Sequence, residues 1–158
     1  MIRIHIDDRQ IQQALRRLQE AADDLTPALE DIGEYLARAT RQRFAEGKDP
    51  NGAPWEPLSA RTIARKGHAK PLIGETGLLR KIRYQLEGPD TVVVGTGAEY
   101  GATHQFGAKK GQFGKTRKGR PIPWGDIPAR PFLGVSDENR TAILDILAEH
   151  LEGAIHGR

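Results

Sequence analysis

Five histidines, His5, His68, His104, His150 and His156, are the side chains best suited to acid–base or metal chemistry near neutral pH. None stands in HxH or HExxH spacing, and none is flanked by carboxylates at ligand spacing, so no zinc site is expected. His104-Gln105, downstream of Tyr100, is the best general acid–base candidate by residue type. No nucleophile or paired carboxylate accompanies it, so it reads as a histidine hydrogen-bonded at a domain or subunit surface. The chain has no cysteine, which rules out a disulfide framework, a thiolate metal site and a cysteine nucleophile. Gly95-Thr96-Gly97 is too short for a phosphate loop, and no Lys-Ser/Thr follows it in helix register. Neither Ser-His-Asp logic nor a glycosidase-like carboxylate pair is present. The expectation is a protein without catalytic residues, metal or cofactor.

Binding chemistry is better represented. Residues 1–50 carry 8 Lys/Arg and 10 Asp/Glu, residues 51–131 carry 14 and 6, and residues 132–158 carry 2 and 5. A basic middle therefore sits between two acidic ends. Most of the basic excess outside the helices lies in residues 107–131, where Lys109, Lys110, Lys115, Arg117, Lys118, Arg120 and Arg130 face only Asp126. Phe113 and Trp124 are interleaved with these cations. Such a composition suits nucleic acid, through counterion release and base stacking. It equally suits an arm docking on an acidic neighbour, and the acidic first and last helices offer that face on another copy. No helix-turn-helix pattern surrounds the basic stretch, which argues against sequence-specific DNA readout.

The elements that must position these residues fit one domain of 158 residues. Ile2, Ile4 and Ile6 alternate with Arg3 and His5, as in a short strand. Asp7 or Asp8 then caps a helix striped by Ile11, Leu15, Leu18, Ala22 and Leu25. Thr26-Pro27 caps and starts a second helix, striped by Leu29, Ile32, Leu36, Ala39 or Thr40, and Phe44, and Gly47 ends it. Residues 47–58 hold three prolines and two glycines and cannot form a continuous helix or central strand. Trp55 and Leu58 are expected to pin that loop to the core. Ser59 caps a short helix through Arg65. Residues 82–86 and 91–95 flank Gly88-Pro89-Asp90 and predict an antiparallel hairpin. Tyr100 to Phe106 predicts a turn or two of helix. Residues 107–131 form the longest irregular stretch, and a loop that long in a small domain is usually functional or disordered. Ser136 caps a last helix striped by Ile143, Leu144, Leu147, Leu151 and Ile155. The fold class is α+β: a small antiparallel sheet packed with N-terminal helices and a C-terminal helix, with long Gly/Pro-rich loops.

Those loops carry a resemblance. Arg43-Phe44, the run from Asp49-Pro50-Asn51-Gly52-Ala53-Pro54-Trp55 to Glu56-Pro57-Leu58-Ser59, Thr62 and Lys66 come first. Leu72, Glu75-Thr76-Gly77-Leu78-Leu79, Val94-Gly95-Thr96, Tyr100 and His104-Gln105-Phe106-Gly107 follow. Ile127-Pro128-Ala129-Arg130-Pro131-Phe132-Leu133-Gly134 and Ser136 close the set. Any one of these is weak, but the ordered set is specific, and it spans nearly the whole chain. The sequence resembles the phage virion morphogenesis family, the tail completion proteins of Mu-like and P2-like tailed phages.

The resemblance implies a structural virion protein and no enzyme. It implies assembly as a ring, commonly hexameric, around the DNA channel at the head–tail junction. Neighbouring neck, connector and tail-tube proteins are the implied partners, with non-specific contact to channel DNA and none with membrane. The implied location is the neck or head-proximal tail of the virion, with assembly in the host cytoplasm. A tail terminator capping the tail tube is the alternative within the class, and a small nucleic-acid-binding protein the alternative outside it. Trp55, Arg130 and Phe132, with Lys109, Lys110, Lys115, Arg117, Lys118 and Arg120, are the candidates for subunit contact. Trp55 has an equal claim to packing inside its own chain.

Overall fold

The computed structural model of the protein describes residues 7–157. The strand expected over residues 2–6 lies outside them. Helix α1, Arg9–Ala21, starts at Asp8, whose carboxylate accepts from the N–H groups of Gln10 and Ile11, each at 3.0 Å. These are two of the donors that a helix start leaves without intrahelical partners. Helix α2, Thr26–Glu46, departs from expectation at its first residue. Thr26 is already helical, and the oxygen that receives its N–H is Asp24 Oδ1, at 2.9 Å. Pro27 suits the first turn, where its missing N–H loses nothing. Gly47 ends α2 at φ 69°, and its N–H returns to the Arg43 carbonyl.

A short helix α3, Ala60–Lys66, is capped by Ser59, which accepts from the Thr62 N–H. Strands β1, Ile82–Leu86, and β2, Val92–Thr96, pair antiparallel with Ile82 opposite Thr96 and Leu86 opposite Val92. Among the described residues this hairpin is the whole sheet. Helix α4, Gly101–Phe106, and the long α5, Asp137–His156, complete the order. Ser136 caps α5 in both directions, because Asn139 Oδ1 reaches back to the Ser136 N–H while Ser136 Oγ accepts from Asn139 N–H.

Two apolar clusters sit at the two ends of α2. The first joins Leu18 of α1, Leu25, Ala28, Leu29 and Ile32, and Ile143 and Leu147 of α5. The second joins Ala37 and Phe44 of α2 to Trp55, Leu72, Leu79, Ile82, Ala98, Phe132 and Leu133. Helix α2 is thus the spine, and the hairpin lies across it. At the crossing stands Gly33, where a Cβ would come within 2.5 Å of the Tyr84 ring and 2.9 Å of Val92. Only a residue without a side chain lets sheet and helix approach so closely. The stripe read for α5 holds at Ile143 and Leu147 and fails at its end: Ile155 is exposed, while Ile146 and Ala154 pack inward.

Candidate functional site

The Gly/Pro-rich segments are not slack. In the loop after α2, Asp49 Oδ1 accepts from the N–H groups of Asn51 and Ala53, and Trp55 N–H reaches the Gly47 carbonyl at 2.9 Å. The result is a closed turn that delivers Trp55 to the second cluster. Trp55 is 5% exposed, its ring meets Phe44 edge-on at 5.5 Å, and its Nε1–H donates to the Pro131 carbonyl at 2.7 Å. Leu58 is half-buried.

Residues 130–133 are gripped from four directions. Arg43 Nη1 donates to the Phe132 carbonyl at 2.8 Å and Nη2 to Asn139 Oδ1 at 2.5 Å. Asn139 in turn donates to the Tyr35 hydroxyl at 3.0 Å. Gln105 Oε1 accepts from both Phe132 N–H and Leu133 N–H, and its Nε2 donates to the Leu133 carbonyl, all at 3.0 Å. The Arg130 N–H bonds the His104 carbonyl at 2.7 Å. Its guanidinium donates to the carbonyls of Glu56 and Pro57, at 2.7 and 3.1 Å. Burial lowers the pKa of both Arg43 and Arg130 from the ordinary guanidinium value. Phe132 has no exposed surface and packs 5.3 Å from Phe44.

Trp55, Arg130 and Phe132, read as candidates for subunit contact, therefore spend their side chains inside the chain. The physical reason is composition: an extended, proline-rich segment has few backbone partners of its own, so side chains must satisfy its carbonyls and N–H groups. Arg43, Gln105 and Asn139 do that work. Arg43 and Gln105 lie in the motif segments, but nothing in the sequence marks their acceptors. Asn139 is signalled only by its place three residues after Ser136.

The basic stretch is more ordered than an irregular loop. Residues 108–116 double back on 120–127. Ala108 and Ile127 exchange both backbone hydrogen bonds, Phe113 N–H reaches the Ile122 carbonyl at 2.8 Å, and Thr116 N–H reaches that of Arg120 at 2.8 Å. The ladder is broken because Pro121 and Pro123 have no N–H to give. At the arm's root Gly107, φ 75°, passes so close to the Ile127 carbonyl that a Cβ would stand 2.8 Å from it.

Of the cations on this arm, Lys109 meets Asp126 at 3.6 Å, and Lys110 N–H bonds the same carboxylate. Those contacts, the Lys110 N–H first, hold the Asp126 pKa below its ordinary value. Lys115, Arg117, Lys118 and Arg120 are exposed toward the tip. Arg120 lies over the Trp124 ring, 5.5 Å from its centroid. Trp124 is 67% exposed, Phe113 54%, and Phe106 beside the root 64%. The arrangement presents cations and aromatic faces together on a projecting ladder.

His104 differs from its expected form. Its ring meets Tyr100 edge-on at 5.9 Å, but Nδ1 is buried with no hydrogen-bond partner among the described residues. Burial first, then the charges of Arg130 and Lys66, push its pKa below 6.5. The acidic face also moves. Helix α1 carries Arg9, Arg16 and Arg17 against Glu20, and its flanking carboxylates Asp8 and Asp24 serve helix starts. Asp8 is further paired with Arg140. The exposed carboxylates are instead Glu30, Asp31 and Glu34 of α2, the last paired with Arg41, and Asp145, Glu149 and Glu152 of α5. His150 of α5 and Asp31 of α2 meet at 2.6 Å and join the two rows. Among the described residues no group of three or more His, Asp or Glu is placed to hold a metal ion, and no helix is long and apolar enough to cross a membrane.

Comparison with known proteins points the same way. The profile of the phage virion morphogenesis family matches residues 6–152. The chain is similar to "Mu-like prophage FluMu G protein 2" of Haemophilus influenzae, 31% identical over 153 residues, 96% of this chain and 97% of that one. It is also similar to "Tail completion protein S" of Escherichia phage P2, 26% identical over 128 residues, 77% of this chain and 81% of that one. No solved structure matches.

Proposed function

The chain belongs to the phage virion morphogenesis family and is a structural tail protein, and we propose that it is a tail completion protein that forms a ring around the DNA channel and joins tail to head. The observation that carries this reading is the projecting arm at residues 108–127, with its basic tip and exposed Phe113 and Trp124, on a chain whose acidic surface lies elsewhere, on α2 and α5. A subunit with one cationic and one acidic face can repeat head to tail, and a repeat that closes is a ring. The proposed ring is a hexamer, set against neck, connector and tail-tube proteins. The name of the P2 relative supports a role at the completion of the tail.

Electron microscopy of intact particles tests it: the chain is expected as a closed ring at the head-proximal end of the tail. Density for a ring capping the tail tube itself would make the chain a terminator. Complete, infectious particles from a phage lacking the gene would overturn the virion role. The interleaving of cations and aromatics on the arm also favours contact with channel DNA. Duplex binding that falls steeply with salt, and is lost when Lys115, Arg117, Lys118 and Arg120 become Ala, is the expected sign of that contact.

A further inference from the structure

A second cationic feature lies beside the root of the arm. A cleft of about 810 Å³ opens between α3, the segment at residues 72–79, α4 and residues 126–130. Lys66, Arg65, Arg130 and His104 line it, with Leu78 and Tyr100 as apolar wall. Two carboxylates share the lining, Glu56 and Asp126, and Asp126 is already engaged by Lys109 and the Lys110 N–H. Among the described residues no carboxylate comes within ion-pair distance of Arg65, Lys66 or Arg130. Arg130 gives its guanidinium to two carbonyls, and Glu56 offsets its charge through space without a direct ion pair. His104 adds a buried Nδ1 that has no hydrogen-bond partner among the described residues.

We propose that this cleft receives carboxylate side chains from the α5 row, Asp145, Glu149 and Glu152, of a second copy of the chain. Charge complementarity selects that occupant. The cationic cleft is built around the second apolar cluster, through Leu72 and Leu79, and the acidic row around the first, through Ile143 and Leu147. The two clusters occupy opposite ends of α2, so the two charged surfaces meet best between copies. An acidic helix row laid across Lys66 and Arg65 gives each ammonium or guanidinium a partner, while Leu78 and Tyr100, each 43% exposed, are covered. The contact joins unlike surfaces, so it propagates head to tail. The inference rests on the ring reading and names the contact that builds the ring.

Complementary variants test it in the full-length chain. Arg65→Ala with Lys66→Ala breaks the cleft. Asp145→Asn with Glu149→Gln and Glu152→Gln breaks the row. All these positions are half-buried or exposed on helices, and circular dichroism checks that both variants fold. In sedimentation velocity each is expected to self-associate at least tenfold more weakly than the wild type. Mixed, they are expected to form a 1:1 complex that grows no further, since only one intact cleft and one intact row remain. The absence of native cysteine allows a direct probe: Leu78→Cys in one chain and Glu149→Cys in another are expected to form a disulfide under mild oxidation. Association by the cleft variant at wild-type strength, or failure of that disulfide in an assembling protein, overturns the cleft and leaves the ring reading intact. A wild type that stays monomeric at every concentration overturns both.

Discussion

Arg43 ties three parts of the chain together, because its guanidinium joins the Phe132 carbonyl to Asn139 and, through Asn139, to Tyr35. Removing it leaves the buried Phe132 carbonyl without a donor, while Asn139 Oδ1 keeps the Ser136 N–H. Such an orphan costs about 1–3 kcal/mol. Arg43→Ala is therefore expected to lower the unfolding free energy by about 2 kcal/mol in a urea titration, while Arg38→Ala, exposed on the same helix, is expected to change it by under about 0.5 kcal/mol. His104 supplies the pH dependence. Its folded pKa is lowered, by burial before the charges of Arg130 and Lys66, so the unfolded chain takes up a proton at about the ordinary 6.5 while the folded chain resists it. Stability linked to this group is whole above 6.5 and is lost as pH falls through the lower folded value. Between pH 7.5 and 5.5 the wild-type urea midpoint is expected to fall, and that of His104→Gln to fall less. Equal declines would mean the ring of His104 meets solvent freely in the folded state.

At the scale of elements, the arm and the body make opposite demands. Most of the arm's own hydrogen bonds are backbone to backbone, and its tip cations are exposed, so those charges contribute little to folding. Replacing Lys115, Arg117, Lys118 and Arg120 by Ala is expected to leave the melting temperature within about 2 °C, by the scale of exposed-charge effects, while assembly or attachment weakens. A collapse of the melting temperature would make the arm part of the core. Helices and hairpin were legible because each follows from local rules: the Asp8 and Ser136 caps, the stop at Gly47, and the alternation from Ile82 to Leu86. The ladder of the arm was not, since Gly111, Gly114, Gly119, Pro121 and Pro123 erase the period-two signal and leave only pairing across the turn. The cleft was equally hidden. Lys66, His104 and Arg130 are far apart in sequence, and the bonds of Arg130 to the carbonyls of residues 56, 57 and 104 help to gather them. Trp55 was readable as an anchor, but its acceptor at Pro131 was not.

For the whole molecule the governing fact is that apolar and charged surfaces are arranged along α2 in different ways. The apolar clusters at its two ends hold the fold together, and the net charge divides: the carboxylates of α2 and α5 lie with the first cluster, despite the arginines of α1, and the basic arm and cleft with the second. Folding and assembly therefore respond to different variables. Raising salt from 50 to 500 mM shortens the screening length from about 14 Å to about 4 Å. Exposed charges lose most of their reach under that change, and buried apolar contacts lose none. Self-association is expected to weaken at least tenfold over this range in sedimentation velocity, while the urea midpoint of the subunit hardly moves. The opposite sign is informative too. Association that strengthens with salt would place the contact on exposed apolar groups, with Phe106, Phe113 and Trp124 as its centre. The division of charge would then serve steering toward neighbours, and not the grip between copies.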